Sequence, residues 1–208
     1  MRLFDVSRTL AVGTAVWPGD LEFGLQRSLR LARGDSVNLT SLSLSAHTGT
    51  HVDAPYHFAE DGATVEAVPL EVYWGPAQVV TVHKAAGPLQ LEDFAGADLS
   101  LAPRLLVHSA AGDVPQSEFP RDFVYPSPAL APRLAEAGIV LFGSDAPSVD
   151  HAESKTLEGH HALRAHGIAI LEWLNLREVP DGLYELAALP LKIAGGDGSP
   201  VRAVLRDM

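Results

Sequence analysis

Hydrophobic and polar positions alternate along several short stretches of the chain. Phe23, Leu25, Leu29 and Leu31 share one parity, and Leu42, Leu44 and Ala46 share another, with Ser41, Ser43 and Ser45 between them. Period-two alternation marks a strand with one buried face. Strands are expected over 3–6, 23–31, 39–46, 77–83, 104–108, 139–142 and 168–172. Helical signals are fewer. One helix is expected from residue 127 or 131 to 137, with Pro132 suited only to its first turn and Gly138 closing it. A second is expected over about 155–166, closed by Gly167. Asp197 and Gly198, set between apolar stretches, read as a hairpin turn. The balance is a strand-rich α/β fold with two or three helices.

Composition narrows the class. With 208 residues, a single domain is expected over 1–208, because domains average roughly 150 residues. Hydrophobic residues make up 47%, enough to build a core and to exclude a disordered chain. The net charge of −11 opposes binding to polyanions, so nucleic acid is not an expected partner. There is no cysteine, which excludes disulfides, thiolate metal sites and a cysteine nucleophile. Charged Arg2, Asp5 and Arg8 interrupt the N-terminus, and no apolar run nears the roughly 18 residues of a membrane span. A soluble cytoplasmic protein without a membrane partner is expected. Composition leaves the 9 histidines unexplained.

The segment HTGTHVDAPYH, from His47 to His57, collects His47, His51, Asp53 and His57. Gly49 and Pro55 disfavour a helix through it. All four residues are odd-numbered, so if the preceding strand continues they leave on the face opposite Leu42, Leu44 and Ala46. Grouped imidazoles repel one another once protonated unless anions or a metal compensate. Zinc and manganese prefer this mixture of imidazole and carboxylate donors. Glu172 ends the apolar run 168–171, and a carboxylate closing a buried strand needs a positive partner unless it emerges at the surface. His160 and His161 sit on the preceding predicted helix, where adjacent residues point in different directions. Periodicity alone does not choose between them. His83, His108, His151 and His166 read as surface or hydrogen-bonded histidines. The segment GSDAP around Ser144 is not a nucleophile elbow, no H-E-x-x-H occurs, and AGGDGSP lacks the phosphate-loop lysine.

The histidine segment resembles the signature of the cyclase-like metal-dependent hydrolases, a family that includes bacterial kynurenine formamidases and isatin hydrolases. The resemblance extends through FDVSRTL, VWPGD, GSDAPSVD, GHHAL, GIAILEWL and YELAALPLKIAGGDGSPVRAVL. VWPGD and the C-terminal stretch point to the formamidase branch. The resemblance implies a compact, strand-rich single domain of the swivelling β/β/α type that forms a homodimer. It implies two zinc ions per subunit, with manganese or cobalt also suited to the donors. His47, His51 and Asp53 would hold one ion. Asp53 would bridge to a second held by His160, chosen over His161 by its spacing to Glu172, and Glu172 would touch both. His57 matches the proton donor and acceptor, and Trp17 a substrate-contacting position. Ser144, Ala146 and the segment HSAAG after Val107 depart from the family pattern, which bears on substrate identity more than on metal chemistry.

The implied reaction is hydrolysis of N-formyl-L-kynurenine to L-kynurenine and formate in tryptophan breakdown. A formamide carbonyl is a poor electrophile and neutral water a poor nucleophile, and divalent ions remedy both. Imidazole suits proton transfer to the leaving arylamine. The alternatives are the same machinery acting on another amide such as isatin, or a non-catalytic metal-binding protein, for which His57 would be superfluous.

Overall fold

The computed structural model describes residues 1–208. In chain order the elements are β1 (Leu3–Asp5), β2 (Gly24–Leu29), β3 (Leu39–Ser43), β4 (His51–Asp53), β5 (Trp74–Thr81), β6 (Gly87–Leu89), β7 (Arg104–His108) and β8 (Val124–Pro126). They continue with α1 (Leu130–Glu136), β9 (Leu141–Ser144), α2 (Glu158–Ala165), β10 (Ala169–Glu172), β11 (Gly182–Ala187), β12 (Gly198–Pro200) and β13 (Val204–Asp207). Nine strands form one mixed sheet in the order β1-β13-β11-β5-β7-β9-β10-β4-β12. Its centre, β5-β7-β9-β10, is parallel, and both flanks are antiparallel.

The parallel centre is apolar on both faces because both faces are covered. Leu105, Val107, Phe142 and Ile170 pack with Leu130 and Leu134 of α1 and Leu163 of α2. Their neighbours Leu106, Leu141 and Leu171 point the other way, into a second core with Val52, Leu174, Leu186 and Leu205. This arrangement is the expected strand-rich α/β domain. No helix is long and apolar enough to cross a membrane.

Three expectations need correction. The alternation in 23–31 and 39–46 does form a hairpin, β2–β3, but not a half-buried one: Leu25, Leu39 and Leu42 are 43%, 49% and 58% exposed. These strands pair only with each other, and no other strand joins their sheet. The strand leading to the histidines stops at Ser43. Gly49 takes a left-handed φ of +66°, and the chain then enters the large sheet as β4. The four odd-numbered residues therefore do not leave one continuous strand. Finally, Asp197 and Gly198 are not a hairpin turn. Gly198 opens edge strand β12, paired with β4 so that Gly198 lies opposite Asp53.

Candidate active site

Three backbone features bring the predicted residues together. His51 and Asp53 are alternate residues of β4 and share a face. Glu172 ends β10, opposite His51 in the antiparallel pairing of β10 with β4. His160 lies on α2, whose amides at Gly159 and His160 donate to the Asp150 carboxylate at 2.7 and 3.0 Å. This carboxylate fixes the helix start, satisfying donors that the helix itself cannot. His160 is 3% exposed and faces the cluster, whereas His161 faces solvent, so packing resolves the doublet that periodicity left open. His47 precedes β4 and His57 ends a short 3-10 turn over Pro55–His57. His47 fits against β12 only because Gly198 has no side chain, since a Cβ there would lie 2.8 Å from His47 Cε1.

Asp53 divides its two oxygens. Oδ1 lies 2.8 Å from His47 Nδ1 and 3.3 Å from His51 Nε2, and Oδ2 lies 3.3 Å from His160 Nε2. Glu172 does the same, with Oε2 3.4 Å from His51 Nε2 and Oε1 4.0 Å from His160 Nε2. Glu172 Oε1 also accepts from the Val149 amide at 2.9 Å. The donor atoms of His51, Asp53 and Glu172 lie within 4.8 Å of one another, as do those of His47, Asp53 and His57.

Proton placement tests whether these donors suit a cation. His51 Nδ1 donates to the Gly49 carbonyl at 2.8 Å, and His160 Nδ1 donates to Asp150 Oδ2 at 2.6 Å. Each neutral imidazole then turns its Nε2 lone pair toward Asp53 and Glu172. Lone pair against buried carboxylate is repulsive unless a proton or a metal lies between, and an oriented imidazole of this kind is the usual partner of a metal. The Asp53 side chain is 1% exposed, and it and Glu172 pair with no lysine or arginine. Without a metal, protons must serve. Burial alone would lower the His51 imidazole, but Asp53 and Glu172 push it up to about 10. His160 is likewise pushed up to about 10 against burial, by Asp150 and Asp53. Burial opposes ionisation of Asp53, yet His160, His47 and His51 hold it well below the usual carboxylate range. The residues fit a divalent cation.

Asp197 was missed in the sequence because it reads as part of a glycine-rich turn. Its Oδ2 lies 2.9 Å from His47 Nε2 and 3.3 Å from His57 Nδ1. Asp150 was also missed as a site residue, although it sits in the GSDAPSVD segment. No local signal could have paired Asp197 with histidines 150 and 140 residues away.

The cluster floors a cavity of about 450 Å³, whose wall includes Trp17, Trp173, Pro147 and Leu157. Trp17 is 37% exposed and meets Phe119 edge-on at 5.2 Å, while Phe119 lies 6.1 Å from Trp173. Ser144 and Ala146 lie behind this wall: Ser144 Oγ accepts from the Ala146 amide, and Ala146 packs on Ala111 and Phe123. The family departures at these positions therefore do not line the cavity. Among the remaining histidines, His108 Nδ1 lies 3.4 Å from Thr81 Oγ1 and His151 Nδ1 accepts from the Glu153 amide, consistent with hydrogen-bonded roles.

A family model described as putative cyclase matches residues 4–151. The kynurenine formamidase of Salinibacter ruber is 48% identical over 208 residues, covering all of this chain and 98% of that protein. A predicted metal-dependent hydrolase from Bacillus stearothermophilus superimposes with a TM-score of 0.83 at 27% identity, over 98% of this chain and 97% of that one. Isatin hydrolase A from Labrenzia aggregata gives a TM-score of 0.82 at 26% identity, over 98% and 93% of the two chains. With this likeness running the length of the chain and the clustered histidines and carboxylates at its centre, the protein belongs to the cyclase family of metal-dependent hydrolases.

Proposed function

We propose that the protein hydrolyses N-formyl-L-kynurenine to L-kynurenine and formate. The observation that carries this reading is the full-length likeness to a kynurenine formamidase at 48% identity. His47, His51 and Asp53 would hold one divalent cation and Asp53 and His160 a second, with Glu172 touching both, zinc being well suited to these donors. Bound there, the ions supply Lewis-acid polarisation of the formyl carbonyl and lower the pKa of water to about 7.

The protein's own groups orient and move protons. Water adds to the formyl carbon, the carbon–nitrogen bond breaks, and the leaving arylamine must gain a proton. His57 takes the proton from the attacking water and returns it to the amine. The Asp197 carboxylate beside His57 Nδ1 holds the hydrogen on that nitrogen and turns Nε2 toward the substrate, as a carboxylate orients histidine in hydrolytic triads. Asp150 and the Gly49 carbonyl do the same for His160 and His51, leaving their Nε2 lone pairs for a metal. Trp17, braced by Phe119, offers an aromatic face to the aryl ketone. The reading includes a homodimer, for which the exposed leucines of β2–β3 offer apolar surface.

The likeness to isatin hydrolase A supports a second reading, opening of a cyclic aryl amide by the same residues. Assaying both substrates decides. The formamidase reading expects one formate released per kynurenine and slow or absent turnover of isatin. Faster turnover of isatin than of N-formyl-L-kynurenine would overturn it.

A further inference from the structure

The cavity is lined by four carboxylates, from Asp20, Asp53, Glu172 and Asp197, and by only one lysine or arginine, Lys155. Asp53, Glu172 and Asp197 are engaged with histidines. Lys155 is exposed at the wall, and its ammonium pairs with no carboxylate of the chain, although acidic residues outnumber basic ones 26 to 15. Lys84 and Arg164, by contrast, each have an aspartate partner.

The backbone that carries Lys155 is held in place at a cost. The chain has two non-glycine residues at positive φ, Leu157 at 48° and Trp173 at 55°, and both line this cavity. Such conformations are strained and persist where surrounding structure enforces them, typically at binding sites. The Leu157 amide donates to Ser154 Oγ at 3.1 Å, and the Ser154 amide donates to the His151 carbonyl at 2.8 Å. Residues 151–157 thus form a fixed turn that presents one unpaired cation to the pocket.

A substrate carboxylate entering this pocket meets an acidic surface and a molecule of net charge −11. In an N-formylated aryl amino acid the carboxylate is separated from the formyl group by the whole aryl ketone, so groups that engage the carbonyl cannot also hold the carboxylate. We infer that Lys155 binds the remote carboxylate of the substrate and makes the enzyme selective for formamides of amino acids over uncharged aryl amides. This rests on the hydrolase reading above. Isatin carries no carboxylate and gains nothing from this lysine.

The test compares N-formyl-L-kynurenine with ortho-formamidoacetophenone, which has the same formamide and no carboxylate. A hydrogen bond to a charged group is worth about 1.5–3 kcal/mol, or roughly ten- to a hundredfold. In Lys155→Met the ratio of kcat/KM for the first substrate over the second should fall by that factor, mainly through KM, and Lys155→Arg should restore most of it. Calorimetry on the metal-free protein should show the affinity for L-kynurenine relative to ortho-aminoacetophenone falling in the same proportion. An unchanged ratio in both measurements, or equal losses for both compounds, would overturn the assignment. Failure of the wild-type protein to cleave either formamide would refute the hydrolase reading instead, and the binding ratio would still decide the role of Lys155.

Discussion

Removing Asp150 should weaken one metal position and spare the other. Its carboxylate lies 2.6 Å from His160 Nδ1 and accepts the amides of Gly159 and His160. In Asp150→Ala, His160 loses the acceptor that keeps its hydrogen on Nδ1, so its Nε2 lone pair is no longer held toward Asp53 and Glu172. Loss of such an orienting partner typically lowers metal affinity about 10–100-fold, or roughly 1.4–2.8 kcal/mol. The short contact to a charged acceptor places the expected effect at the upper end. His47 and His51 have other partners, Asp197 and the Gly49 carbonyl, so their ion should be held as before. Zinc titration against a chromophoric chelator should show one tight and one weakened equivalent, where the wild type shows two tight ones. The lost helix cap should also lower the stability of the metal-free protein by about 0.5–2 kcal/mol in urea melts, leaving it folded at the titration temperature. Two unchanged equivalents, or equal weakening of both, would refute the division of Asp53 and Glu172 between two positions.

Two further outcomes follow from the same structure. His57→Ala should lower kcat at least about a hundredfold, the scale of general acid–base catalysis, while elemental analysis finds unchanged metal content; unaltered turnover would remove His57 from the mechanism. Asp145 is buried beneath Ser109, and its burial pushes its carboxyl up to about 6 despite hydrogen bonds from the Ser109 amide and hydroxyl. A carboxyl whose folded pKa exceeds its unfolded 3.8 binds more protons in the folded state, so its contribution is fully present below about pH 4 and is lost as pH rises through about 6. Urea melts of metal-free Asp145→Asn and wild type should differ by a term that changes between those pH values and is flat outside them, and a pH-independent difference would refute the assignment.

The legible parts of this molecule are those where neighbours in sequence are neighbours in space. His47, His51, Asp53 and His57 stand out because they fall within eleven residues, His47 in the turn before β4, His51 and Asp53 on β4, and His57 on the 3-10 turn that follows. Glu172 was ambiguous from the chain alone, since an apolar run ending in a carboxylate describes a surface exit as well as a buried ligand; the antiparallel pairing of β10 with β4 decides it. The roles of His160 and His161 depend on how α2 rolls against the sheet, and the Asp150 cap contributes to that roll. Asp197 was invisible because its partners arrive from the other end of the chain. The hairpin β2–β3 shows the reverse error. Its alternation is real, but periodicity reports only that one face is apolar, not that this chain covers it.

Hydrolysis should depend on metal held by the clustered imidazoles and carboxylates. The most direct measurement is formate release from N-formyl-L-kynurenine by the purified protein before chelation, after chelation and after zinc is restored. Fast release, its loss on chelation and its return with zinc are the predicted result. Full activity in protein shown by elemental analysis to be free of metal would contradict a metal-dependent hydrolysis.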